Sequence, residues 1–213
     1  MKIAVLILAA GPSWRGWTKE APKQLALIEG KPLIVRTLDQ LKERGYDDNV
    51  MVVTHNEAIQ AVVPRYYIPS KHQFWHETLV YTRELWGDRT IILNGDTIYS
   101  PEVIDMILAD QTSLMFYGKL NGKMSHMNGM AFDKTENERV VNAAKKATRE
   151  TRIKSEARIK LSWGMYHVLF GLPLRTRNAP CDVWMAQAAD DYTCDIDKPE
   201  FYAKFLEKHE WAR

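Results

Sequence analysis

LAAGPSWRGWTKEAPKQL, residues Leu8–Leu25, decides how this chain is read. It follows Ile3-Ala4-Val5-Leu6-Ile7, an aliphatic, uncharged run short enough to predict a buried strand over residues 2–8. Ala9-Ala10-Gly11 then makes a small-residue turn whose backbone can come close to a ligand, where a larger Cβ would stand in the way. Arg15 and Lys23 place two cations in a loop too long to be a plain connection. A strand that opens into such a loop suits a polyphosphate, because backbone N–H groups cradle the oxygens and the cations neutralise them.

Outward from this loop the patterning alternates. Pro32 to Arg44 reads as a helix with Pro in its first turn and Gly45 just past its end. Val50–Thr54 reads as a strand, Glu57–Val63 as a short helix, residues 65–69 as a strand and Glu77–Trp86 as a helix. Thr90–Leu93 is a further buried strand, ending in Asn94-Gly95-Asp96, after which Ser100 caps a helix that begins at Pro101 and runs to Ala109. Strand-helix alternation predicts an α/β fold, a mostly parallel Rossmann-like sheet sandwiched by helices. Ligands on such sheets sit beyond the carboxyl ends of the strands, where both the loop after residue 8 and Asp96 fall.

The chain has 213 residues, enough for one α/β domain with a substantial core, so residues 1–213 are expected to form one unit. A net charge of +2 with 26% charged residues points away from a nucleic-acid partner. No apolar run reaches membrane-spanning length and no signal-peptide pattern opens the chain, so no membrane partner is expected. Cys181 and Cys194 stand in no metal-ligand spacing, and a reduced cytoplasmic setting is the expectation. Trp17 and Trp14 flank Arg15 and are read as packing the loop onto the domain.

Two acidic segments extend the candidate site. Asp96, directly after a buried strand and Gly95, can present a carboxylate to Mg²⁺ or close an Asx turn. Asp195 and Asp197 share a face if Cys194-Asp195-Ile196-Asp197 is extended, while Asp197 can equally cap a last helix with Pro199 in its first turn. Residues 118–160 are rich in Lys and Arg, which suits a phosphorylated acceptor as well as it suits a solvated helix face.

Leu8, Ala9, Ala10, Gly11, Arg15, Pro22, Lys23 and Leu25, followed by Gly30-Lys31-Pro32-Leu33-Ile34, resemble the signature of the nucleotidyltransferase superfamily. Its pattern is L-A-(A/G)-G-x-G-x-R, a gap, P-K-x-L, then G-K-P-L-I. Ser13 replaces the second glycine, and Pro12 before it offers no N–H to a phosphate. The resemblance implies a fold of the nucleotide-diphospho-sugar transferase type and a Mg²⁺-dependent transfer from an NTP, with a lean to CTP. The acceptor implied is a phosphorylated small molecule such as a sugar or alditol phosphate, and pyrophosphate is released. Arg15 and Lys23 are then the catalytic cations, and Leu8, Ala9, Ala10, Gly11, Ser13, Thr78 and Gly95 line the nucleotide. Asp96 with Asp197 or Asp195 would hold Mg²⁺, residues 118–160 would be an inserted acceptor-binding region, and Gly164-Met165-Tyr166 a returning strand. Homodimers are common among such enzymes.

Three rivals remain. A dinucleotide-binding oxidoreductase needs a helix to start inside Gly11–Gly16, but Pro22 and Gly30-Lys31-Pro32 keep the chain irregular to residue 32. A glycosyltransferase using a nucleotide sugar could employ Asp195-Ile196-Asp197, but its Asp-x-Asp normally ends a mid-chain strand. A non-catalytic nucleotide-binding protein is the third.

Overall fold

The computed structural model describes residues 1–11, 16–120, 124–154, 162–172, 185–186 and 192–213. In chain order the strands are β1 (Ile3–Leu8), β2 (Leu27–Ile28), β3 (Lys31–Pro32), β4 (Val50–Val53), β5 (Tyr66–Tyr67), β6 (Arg89–Asn94), β7 (Thr97–Ile98), β8 (Leu114–Leu120), β9 (Met124–Asp133), β10 (Met185–Ala186) and β11 (Cys194–Asp195). The helices are α1 (Leu33–Glu43), α2 (Glu57–Gln60), α3 (Trp75–Val80), α4 (Pro101–Ala109), α5 (Asn137–Lys154), α6 (Ser162–Leu169) and α7 (Pro199–Lys208).

The main sheet has the order β10-β8-β9-β6-β1-β4-β5. β1 runs parallel to both β4 and β6, β5 continues parallel to β4, and β10 is parallel to β8. β9 alone among them is antiparallel to its neighbours β6 and β8. The mainly parallel sheet between helices is the expected α/β architecture.

Period-two alternation sorts the strand residues between two apolar layers. Leu6, Leu8, Ile92, Phe116, Met130 and Phe132 face a cluster completed by Leu79 of α3, Val140, Val141 and Ala144 of α5, and Met165 and Tyr166 of α6. Val5, Ile7, Val50, Val52, Ile91 and Leu93 face the other, with Ile34 and Leu41 of α1, Ile59 of α2, and Val103, Ile104 and Ile107 of α4. Strands buried on both faces need helices on both faces. A third cluster joins Ala26, Ile28 and Leu33 to Ile98, Ile196, Phe205 and Ala212, binding the C-terminal segment to the region after the signature loop.

Several elements depart from the sequence reading. The helix expected over 77–86 is α3, Trp75–Val80, followed by a 3-10 turn at Arg83–Leu85. The thioether of Met165 and the ring of Tyr166 are fully buried in α6, so Gly164-Met165-Tyr166 is helical rather than a strand. The bulky pair fills a helix-sheet interface, which a short apolar run cannot distinguish from a strand by pattern alone. Within residues 118–160, β8 and β9 extend the main sheet and α5 packs against it. Ser100 caps α4 as expected, its Oγ accepting from the Val103 N–H at 3.3 Å. Among the described residues no helix is long and apolar enough to cross a membrane.

Candidate active site

The carboxyl ends of β1, β4 and β6 meet at one edge. Ala9 N–H donates to the Val53 carbonyl at 2.9 Å, and Gly95 N–H donates to the Leu8 carbonyl at 2.9 Å. Leu8, Ala9, Ala10 and Gly95 are thereby brought together, with Ala9 and Ala10 buried. Gly95 is glycine for steric reasons, because a Cβ there would stand 3.0 Å from the Ala9 Cβ and 3.1 Å from the Leu8 carbonyl. At Gly11 nothing among the described residues lies within 4 Å of a Cβ position. Ser13 and Arg15, with Pro12 and Trp14, lie outside the described residues.

Lys23 opens a single 3-10 turn, Lys23–Leu25, after extended Pro22. Its ammonium pairs with both Asp96 and Asp197, the Asp197 Oδ1 at 3.0 Å. The Lys23 and Asp96 side chains are largely enclosed, at 16% and 21% exposure. Burial by itself would lower the Lys23 pKa, but the adjacent Asp96 and Asp197 carboxylates outweigh it and hold the ammonium charged well above the ordinary lysine value.

Asp197 reaches this point through tertiary contacts. β11 pairs antiparallel with β7, setting Asp195 opposite Thr97, and Ile196 N–H donates to the Asp96 carbonyl at 3.0 Å. Asp195 accepts from Thr97 Oγ1 at 2.7 Å, so of the two aspartates it is Asp197 that meets Lys23 beside Asp96. Lys198, not Asp197, occupies the N-cap of α7, and the Lys198 side chain makes no capping hydrogen bond. The Trp17 indole donates to the Ile196 carbonyl at 3.2 Å, and its ring packs against Tyr202. Gly16, at φ +99°, lets the chain pass Pro199, whose ring would lie 3.1 Å from a Cβ there. Trp17 thus packs the loop onto the C-terminal segment.

Thr78 is buried within α3, its hydroxyl donating to the Phe74 carbonyl at 3.2 Å, and does not join the Lys23 cluster. Sequence reasoning passed over several supporting residues. Tyr99, wholly buried, receives the Asn94 N–H on its phenol oxygen at 2.8 Å and donates to the Asn128 carbonyl at 2.5 Å. Trp75 Nε1 donates to Asn94 Oδ1 at 2.8 Å, and Asn94 Nδ2 to the Met127 carbonyl at 2.5 Å. Arg36 of α1, 8% exposed, donates to the Tyr99 carbonyl at 2.8 Å and to the Tyr192 phenol at 2.9 Å. An arginine on the inward face of an amphipathic helix was the one signal available for that anchor. His55 and His72 stack with ring centres 3.8 Å apart at the rim beyond β4.

The donor set at Asp96 and Asp197 fits a hard divalent cation. Two carboxylates already converge on a cation, the Lys23 ammonium, and Mg²⁺ takes one or two protein carboxylates together with phosphate oxygens and water. Among the described residues no group of three or more His, Cys, Asp or Glu could hold a metal.

The mainly parallel sheet thus carries a small-residue loop and facing acidic groups at its carboxyl edge. The chain belongs to the MobA-like NTP transferase domain family, which residues 5–127 match. It is 29% identical over 115 residues to the bifunctional protein GlmU of Syntrophomonas wolfei, covering 54% of this chain and 24% of that protein. It is 34% identical over 100 residues to 3-deoxy-manno-octulosonate cytidylyltransferase of Dichelobacter nodosus, covering 42% of this chain and 40% of that one. The chain therefore matches well under half the length of these curated relatives. In fold it is similar to CTP:phosphocholine cytidylyltransferase from Streptococcus pneumoniae, with a TM-score of 0.62 and 16% identity over 98% of this chain and 99% of the other.

Proposed function

We propose that this protein joins an NTP, with CTP favoured, to a phosphorylated small molecule such as a sugar or alditol phosphate, and releases pyrophosphate with Mg²⁺ as cofactor. The observation that carries this reading is the meeting of Lys23 with Asp96 and Asp197 at the carboxyl edge of the sheet. Relatives named for cytidylyl transfer support CTP.

In this reading the backbone of Leu8, Ala9, Ala10 and Gly11 borders the nucleotide, with Gly95 closing the floor beneath it. An acceptor phosphate oxygen attacks the α-phosphorus in line, a new P–O bond forms, and the bond to the β-phosphate oxygen breaks as pyrophosphate leaves. Such a reaction needs positioning and charge neutralisation more than a protein nucleophile. Asp96 and Asp197 would hold Mg²⁺, which when bound supplies Lewis-acid polarisation of the phosphate oxygens. Lys23 stabilises charge developing on the α-phosphate, and Arg15 grips the β- and γ-phosphates. Asp195, anchored on Thr97, sets the course of the segment that carries Asp197.

Pyrophosphate release with each of the four NTPs, Mg²⁺ and a panel of phosphorylated acceptors tests the proposal. Release is expected with at least one pair and to be strongest with CTP. Absence of release with every pair, while nucleotide still binds, would establish a non-catalytic binder. Sugar transfer from a nucleotide sugar would establish the glycosyltransferase alternative.

A further inference from the structure

We propose that Lys23 is a tethered counter-ion for the metal site: its ammonium holds Asp96 and Asp197 until the triphosphate of an incoming nucleotide draws it off, so that these carboxylates accept a divalent cation only together with nucleotide. This deepens the reading above and rests on its assignment of Asp96 and Asp197.

The geometry supplies the reason. The Lys23 ammonium contacts both carboxylates, although it is 174 residues from Asp197 in sequence, and so occupies the position in which they converge. A divalent cation cannot take the same two oxygens without displacing it, and beside it would meet a like charge in a largely enclosed site. The tether matters as well. A cation attached to the chain is present at an effective concentration in the millimolar range, comparable to free Mg²⁺, and loses little freedom on pairing. Lysine suits the exchange, being a compact charge on a flexible four-carbon stem that can swing to a neighbouring anion. Trp17 and the β7–β11 pairing fix the two carboxylates from the backbone side, so the acidic pair keeps its place when the ammonium leaves. A triphosphate at the small-residue loop offers Lys23 the replacement anion, and binding of nucleotide and metal then become coupled through one side chain.

Direct binding of Mn²⁺ alone to the full chain, followed by the resonance of the free ion, tests this without any turnover. Wild type is expected to bind Mn²⁺ weakly. Lys23→Met is expected to bind it about 10–100-fold more tightly, the usual size of coupling between sites. Lys23→Arg, which keeps the charge, is expected to stay as weak as wild type. Adding Asp96→Asn to Lys23→Met is expected to remove the gain. Equal affinity in wild type and Lys23→Met, with both folded by circular dichroism, overturns the counter-ion role, as does tight binding by Lys23→Arg. Should Lys23→Met gain affinity that Asp96→Asn and Asp197→Asn leave intact, the metal-site assignment itself falls. If Lys23→Met does not fold, Lys23→Gln takes its place in the same comparison.

Discussion

Replacing Tyr99 by phenylalanine removes one oxygen from a wholly buried side chain and leaves the ring in place. No sizeable cavity opens, so the hydrophobic contribution of the ring to the α4 side of the sheet is retained. What is lost is the partner of the Asn94 N–H, at 2.8 Å, and the donor to the Asn128 carbonyl, at 2.5 Å. An unsatisfied buried backbone donor costs about 1–3 kcal/mol, and the carbonyl adds a smaller penalty. The sum is about 2–3 kcal/mol, which for a chain of this size lowers Tm by about 4–12 °C. Asn94 begins the turn that holds Gly95 and Asp96, so the same change should reduce kcat/KM about tenfold through misplacement of the Asp96 carboxylate. Thermal unfolding followed by circular dichroism reads the first effect and pyrophosphate release the second. A Tm within about 1 °C of wild type would refute the phenol's part in holding this turn.

Lys23→Ala and Asp96→Ala should each lower turnover by about 10²–10³ while the far-ultraviolet spectrum stays that of the folded protein; near-normal pyrophosphate release by either variant removes it from the reaction. Gly16→Ala places a Cβ at φ +99° and 3.1 Å from Pro199, so it should destabilise the chain by about 1–3 kcal/mol, read as a fall in the urea midpoint. Burial, then the neighbouring His72 and Lys19, lowers the His55 pKa below its ordinary 6.5. The folded state therefore binds fewer protons here than the unfolded chain. This contribution to stability is present above about pH 6.5 and lost as pH falls through the folded value. His55→Gln should flatten the dependence of the urea midpoint between pH 7.5 and 5, and an unchanged slope would show that His55 does not set it.

The buried strand before the signature loop, the cap at Ser100 and the turn at Asn94-Gly95-Asp96 were legible in the chain because each depends on neighbours only a few residues away. So was the mainly parallel architecture, since aliphatic strands buried on both faces leave few other arrangements. The resemblance brought Asp96 together with Asp197 or Asp195, but the pairing of the Lys23 ammonium with Asp96 and Asp197 was not legible in the chain. The resemblance misplaced Met165 and Tyr166 in a returning strand, and a short apolar run bears no mark of helix or strand that would have corrected it before its packing partner is known.

What the sequence by itself determined is the set of local preferences: which segments are apolar with which period, where turns and caps fall, and which charges are available for a polyphosphate. Tertiary structure alone decided that Asp197 rather than Asp195 joins Asp96 at the Lys23 ammonium, and that Tyr99, Arg36 and Trp17 hold that edge in place. The physical reason is that the Asp195 and Asp197 contacts depend on strand pairing between β7 and β11, where a shift of two residues would set Asp197 opposite Thr97 in place of Asp195, and no local signal encodes that register.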